Sequence, residues 1–120
     1  LGKTSDGNTV CDFDPEEIKR SFSISTAIAP VIWKGAKLNV LDTPGYLDFV
    51  GEVKQALRVA GSAVILVDAK SGVEVGTELA WDYATEVGVP TVFFINKYDD
   101  NEANFDRVFD QLKEKCGSSV

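Results

Sequence analysis

Two uninterrupted apolar runs, "SAVILVDA" (62–69) and "PTVFFIN" (90–96), constrain the fold of these 120 residues more than any other feature. A strand with one wet face alternates apolar and polar side chains. An unbroken run rich in β-branched and aromatic residues marks a strand covered on both faces. Between the two runs lies a stretch with helical spacing, from about Val75 to Val87, closed by Gly88, a residue suited to the left-handed cap of a helix. Strand, helix and strand in that order make a right-handed crossover between parallel strands.

The rest of the chain extends this alternation. Phe49, Val53, Ala56, Leu57 and Ala60 fall at helical spacing and stop at Gly61, and "NFDRVFDQLKEK" forms a further amphipathic helix ending before Gly117. Upstream, "SFSISTAIAPVIW" (21–33) and "AKLNVLD" (36–42) read as strands, with Lys34-Gly35 as a hairpin turn. In "DPEE", Asp14 is placed as an N-cap, Pro15 at the first helical position and Glu17 to complete a capping box, so a short helix is expected from 15 to 20. The remainder of the acidic first 20 residues reads as a solvated loop without calcium-loop spacing, and residues 117–120 as a frayed end. The expected fold class is α/β: one domain over 1–120, a three-layer sandwich with a mainly parallel sheet and an antiparallel edge hairpin.

Composition removes several chemistries. There is no histidine, which excludes His-based triads, His general bases and His-ligated zinc. The net charge of −7 disfavours broad contact with a phosphate backbone, so direct DNA binding is not expected. No run approaches the ~18 apolar residues of a membrane span, so no membrane partner is expected. Cys11 and Cys116 are far apart and without metal-ligand spacing, and read as reduced thiols of a cytoplasmic protein. The chain has no methionine and begins at Leu1, so it is expected to be a piece of a longer protein.

Ligands of such sheets bind at the carboxyl ends of strands. Two motifs stand there, with Asp42 and Asn96 54 positions apart. In "FFINKYD", the Asp99 carboxylate suits a guanine, because it accepts from N1–H and the exocyclic amine together. Asn96 can brace the pocket and reach the N7 side, and the Lys97 stem can lie along the base. The alternative for this motif is a plain strand-end turn. In "VLDTPG", Asp42 suits a magnesium-bound water and the Gly45 amide suits a γ-phosphate oxygen. The alternative here is a buried aspartate capping the next helix.

"DTPGYLDFVGEV", "RVAGSAVILVDAKSGVEVGTE" and "FFINKYDDNEANFD" closely resemble the GTP-binding domain of bacterial elongation factor G and its paralogues, and the resemblance covers essentially the whole chain. It implies a P-loop GTPase fold and a ribosome-dependent GTPase that drives translocation, with GTP or GDP, Mg2+ and the ribosome as partners. Carried over, Asp42 would serve the metal and Gly45 the γ-phosphate, while Asn96, Lys97 and Asp99 would read guanine. "IKRSFSIS" resembles the first switch segment of the family, which places Ser23 where a threonine hydroxyl ligates magnesium. Residues 5–22 would then form a switch loop that orders on triphosphate binding.

Three departures qualify the resemblance. Where the family has Asp-Thr-Pro-Gly-His, Tyr46 occupies the position of the histidine that positions the attacking water; a phenol keeps a hydroxyl for that task, and the change marks a paralogue. The Ser-Ala-x guanine motif of the family would lie past Val120. The phosphate-binding Gly-x-x-x-x-Gly-Lys-[Ser/Thr] is absent. Gly2-Lys3-Thr4 imitates its end without its first glycine or preceding strand, and "LGKTSDGNTVCD" aligns instead at the entrance to the first switch. The isolated chain is therefore expected to bind nucleotide weakly or not at all and to hydrolyse nothing measurable. In this fold the P-loop strand runs between the "KLNVLD" and "SAVILVDA" strands, so the isolated chain is also expected to self-associate through exposed sheet edges or to rearrange its sheet. A ribosomal-protection or release-factor-type GTPase, a non-catalytic interaction module and a receiver-type domain are the competing readings.

Overall fold

A computed structural model describes residues 2–117; of the expected frayed end, 118–120 fall outside the described residues. The chain divides into two compact units, the first running to Ala56 and the second starting at Leu57.

The first unit begins with a 3-10 turn at Thr4–Asp6, closed by Gly7 at φ 62°, where a phosphate loop would lead into an α-helix. Helix α1 (Pro15–Arg20) follows, with Pro15 opening it as expected. Asp14 accepts from the Glu16 amide at 2.8 Å, and Glu17 accepts from the Asp14 amide at 3.3 Å, so each end of the box satisfies an orphan donor. Strands β1 (Ala27–Trp33) and β2 (Ala36–Asp42) pair antiparallel from Trp33↔Ala36 to Ala27↔Asp42. Lys34 and Gly35 join them at φ 49° and 80°. Two consecutive positive φ values match the right-handed twist of a hairpin. Pro30 lacks a donor and is tolerated because β1 is an edge strand. A 3-10 turn at Leu47–Phe49 leads into α2 (Val50–Leu57), which is shorter at both ends than the spacing of Phe49 to Ala60 predicts.

The expected strand over 21–33 is realised only from Ala27 onward. The backbone N–H groups of Ile24 and Ser25 are bonded by the Glu17 carboxylate, and that of Thr26 by Glu52 at 2.7 Å. Amides satisfied by side chains need no ladder, and the segment stays a loop.

The second unit is the parallel crossover. Strands β3 (Ala63–Asp68) and β4 (Thr91–Asn96) pair in parallel, in register from Ala63↔Thr91 to Asp68↔Asn96. Between them runs α3 (Val75–Val87), capped by Gly88 at φ 77°, whose N–H bonds the Ala84 carbonyl at 2.9 Å. Helix α4 (Phe105–Cys116) starts with the Asn104 side chain accepting from the Arg107 amide at 3.0 Å. Its Val108 and Leu112 are fully buried with Ile65 and Val67 of β3, and Trp81, Phe93 and Ile95 pack against this cluster. The other face of the strand pair carries Val64, Leu66, Val92 and Phe94, each more than half exposed. The α/β class holds, with small sheets: among the described residues the strands form two two-stranded sheets rather than one continuous parallel one.

Candidate functional site

The candidate residues fall into two groups, one in each unit. In the first, Asp42 ends β2 and Thr43, Pro44 and Gly45 carry the chain away from the strand. Pro44 is fully buried and anchors this exit. Gly45 is exposed, with open space where a Cβ would stand. Asp42 hydrogen-bonds the thiol of Cys11, and burial, followed by that bond, pushes the thiol's pKa up. The next residue, Asp12, accepts from the Ser23 hydroxyl at 2.6 Å. Cys11 and Asp12 thus tie Asp42 and Ser23 to consecutive positions of one segment.

These donors fit magnesium. All are hard oxygens, and a serine hydroxyl that donates its proton to Asp12 still has lone pairs for a cation. Among the described residues no group of three or more His, Cys, Asp or Glu side chains could hold a metal. Two protein oxygens are in keeping with an ion that retains most of its water. Tyr46 is exposed, and its ring centroid lies 4.5 Å from that of Phe22, which in turn lies 6.4 Å from Phe49. Tyr46 therefore touches the neighbour of Ser23.

Glu17 organises the loop that carries Ser23. Its carboxylate is buried, and one oxygen accepts from the amides of Ile24 (2.9 Å) and Ser25 (3.1 Å). These bonds, to Ile24 foremost and then Ser25, outweigh burial and hold the carboxyl below its ordinary pKa. Sequence reasoning placed Glu17 only in the helix cap and missed Asp12, Phe22 and Glu52. A glutamate in a capping box is a visible signal, but its second set of partners is seven and eight positions away.

In the second unit, Asn96, Lys97 and Asp99 share one strand-end turn. The Asn96 carbonyl accepts from Ala69 N–H at 2.9 Å, which holds the two strand ends together. The Lys97 carbonyl accepts from Asp100 N–H at 3.1 Å and closes the turn. Lys97 itself sits at φ 57°, in the left-handed region that costs a non-glycine residue about 1 kcal/mol or more. Such strain persists only where the surroundings hold it in place. Asp99 is exposed, and among the described residues no side chain pairs with its carboxylate.

Asp68, the last residue of β3, faces this turn. Its Oδ1 accepts from the amides of Lys70 (2.8 Å) and Ser71 (3.1 Å), and its Oδ2 takes the Lys97 ammonium at 2.8 Å. The lysine first, then the Ser71 and Lys70 amides, hold the carboxyl down to about 2, and the same pairing raises the Lys97 amine. The following loop is fastened by α4: Arg107 donates to the Lys70 carbonyl, and Gln111 accepts from Val73 N–H at 3.2 Å. Asp68 was read in the sequence only as the end of an apolar run.

Comparison with known proteins places the chain in a family. Residues 2–119 match the elongation factor Tu GTP binding domain. The chain is 38% identical over 119 residues to elongation factor G 1 of Syntrophomonas wolfei subsp. wolfei, covering 99% of this chain and 18% of that protein. It is 40% identical over 117 residues to elongation factor G of Mycoplasma pneumoniae, covering 98% of this chain and 17% of the relative. A crystal structure from Thermus thermophilus superposes with a TM-score of 0.92 at 35% identity, over 97% of this chain and 17% of the other. The chain therefore spans about one-sixth of the length of the curated relatives it matches.

The Glu17 bonds make a pH prediction. Because the folded carboxyl titrates below its unfolded value of about 4.3, its stabilisation of the loop is full above that pH and is lost as pH falls through the lowered value. The amide resonances of Ile24 and Ser25 should move together in an acid titration, with a midpoint below that of an ordinary glutamate. A midpoint at or above the ordinary value would contradict the assignment.

Proposed function

Because the chain belongs to the elongation factor Tu GTP-binding domain family, we propose that it is the part of a translational GTPase domain that reads guanine and meets the γ-phosphate, running from the first switch segment through the guanine motif. The observation that carries this reading is the turn at the carboxyl end of β4. It displays Asp99 unpaired beside Lys97, at the place in the fold where nucleotides dock.

Asp99 accepts from N1–H and the exocyclic amine of guanine, a pair that adenine does not offer. Asn96 braces the pocket at the N7 side, and the stem of Lys97 lies against the base. Asp42 and Ser23 hold magnesium, and Gly45 presents its amide to the γ-phosphate. When bound, magnesium neutralises charge on the phosphate oxygens. Tyr46 orients the attacking water through its phenol hydroxyl, held at its place by Phe22. The relatives named elongation factor G support extending this to the longer protein, with GTP hydrolysis on the ribosome, translocation and a cytoplasmic location. No described helix is long and apolar enough to cross a membrane.

Within these 120 residues there is no Gly-x-x-x-x-Gly-Lys-[Ser/Thr], so the phosphates lack the amide cradle and lysine that contribute much of the affinity in this family. Ligand-observed NMR titrations of the chain should give a GDP affinity weaker than micromolar, yet tighter than that for ADP. Asp99→Ala should erase the preference, a loss of about tenfold for GDP. Micromolar or tighter binding of GDP, or equal affinity for ADP, would contradict this reading.

Self-association of the isolated chain is supported by the exposed apolar face of β3 and β4 and by strands that each pair on one side. Light scattering should show a mass that rises with concentration. A monodisperse monomer at high concentration would count against it.

A further inference from the structure

We propose that Asp68 is a positioning residue of the guanine site: it captures the Lys97 ammonium, which fixes the lysine stem where the base lands and keeps the charge away from Asp99. The inference rests on the guanine reading of the turn and adds to it a residue outside the motif.

The geometry carries the case. Asp68 stands directly across the parallel pair from Asn96, so its side chain faces the turn that Asn96 begins. One carboxylate oxygen is immobilised by two backbone amides, and the other points at Lys97 Nζ, 2.8 Å away. The carboxylate is therefore set before the lysine arrives. Lys97 is held at φ 57° by the bond from Asp100 N–H to its carbonyl, so its backbone direction is set as well.

Without Asp68, the lysine would have other acidic neighbours. Asp99 and Asp100 follow it within three positions, and Asp100 and Glu74 both add to the field at its ammonium. A lysine head is a point charge on a flexible four-carbon stem and pairs with whichever carboxylate is nearest. Pairing with Asp99 would occupy the oxygens that must accept from guanine and would lift the stem off the base. Asp68 removes both outcomes. Immobilising a binding group ahead of the ligand also reduces the ordering cost on association.

As a structural strut the pair is weak. The Lys97 side chain is 68% exposed and that of Asp68 24%, a setting in which ion pairs contribute little to stability. Its effect should therefore read out in nucleotide binding.

The test is a double-mutant cycle on the 120-residue chain: wild type, Asp68→Asn, Lys97→Met and both together, each titrated with GDP and ADP and followed by amide NMR. Asparagine keeps the oxygen that accepts from Lys70 and Ser71, and methionine keeps an unbranched apolar stem. Asp68→Asn should weaken GDP about two- to fivefold, the range expected of an exposed pair, with ADP unchanged. In the Lys97→Met background Asp68→Asn should have no further effect. Unchanged GDP affinity in Asp68→Asn, or an equal loss in both backgrounds, would overturn the proposal. A wild type that does not prefer GDP over ADP would overturn the guanine reading instead. The pH titration of the Lys97 Cε resonance needs neither nucleotide nor variant. It should run above that of an ordinary lysine, and an ordinary midpoint in the wild type would remove the ion pair and the proposal with it.

Discussion

The parallel register of β3 and β4 is the constraint on which the second unit depends. It aligns Asp68 with Asn96, so two strands end at one level and both of their following loops emerge together. Parallel strands need a crossover, and the amphipathic α3 supplies it. The pairing is fastened from one side by Val108 and Leu112 of α4 against Ile65 and Val67. Everything at the strand ends follows from that level. The Asn96 carbonyl meets the Ala69 amide, Asp68 meets Lys97, and Arg107 and Gln111 of α4 reach back to hold the loop after β3.

In the first unit the organising interaction is different in kind. Three successive amides, at Ile24, Ser25 and Thr26, are received by carboxylates from two helices, Glu17 of α1 and Glu52 of α2. A segment held by side chains can be released by moving those side chains, without breaking a sheet. That property suits a stretch resembling a switch, and it places Phe22 and Ser23 next to a segment whose position is set by two acids.

The elements that bury apolar surface were legible in the sequence. The runs at 62–69 and 90–96 became β3 and β4, although the burial expected on both faces is met on one face only, and the stretch from about Val75 to Val87 and "NFDRVFDQLKEK" became α3 and α4. The cap at Asp14 and the turn at Lys34-Gly35 were readable for the same reason: each is a local bond or a local φ requirement. Residues 21–26 were not. Their β-branched and alternating pattern fits a strand, and what keeps them out of one is a pair of carboxylates elsewhere in the chain. Asp68 was hidden in another way. Its neighbours made it look like the end of a buried run, and its partner is 29 positions away. A motif is local and can be read from the sequence, while contacts such as that of Asp68 with Lys97 are set by register and packing.

The central claim is that the turn after β4 recognises guanine. The most direct measurement is an amide-resolved NMR map of the labelled chain with GDP and, separately, ADP at equal concentration. The account predicts that GDP moves the resonances of Asn96, Lys97, Tyr98 and Asp99 more than ADP does at the same concentration. Equal perturbation by both nucleotides, or GDP shifts confined to residues away from that turn, would contradict it.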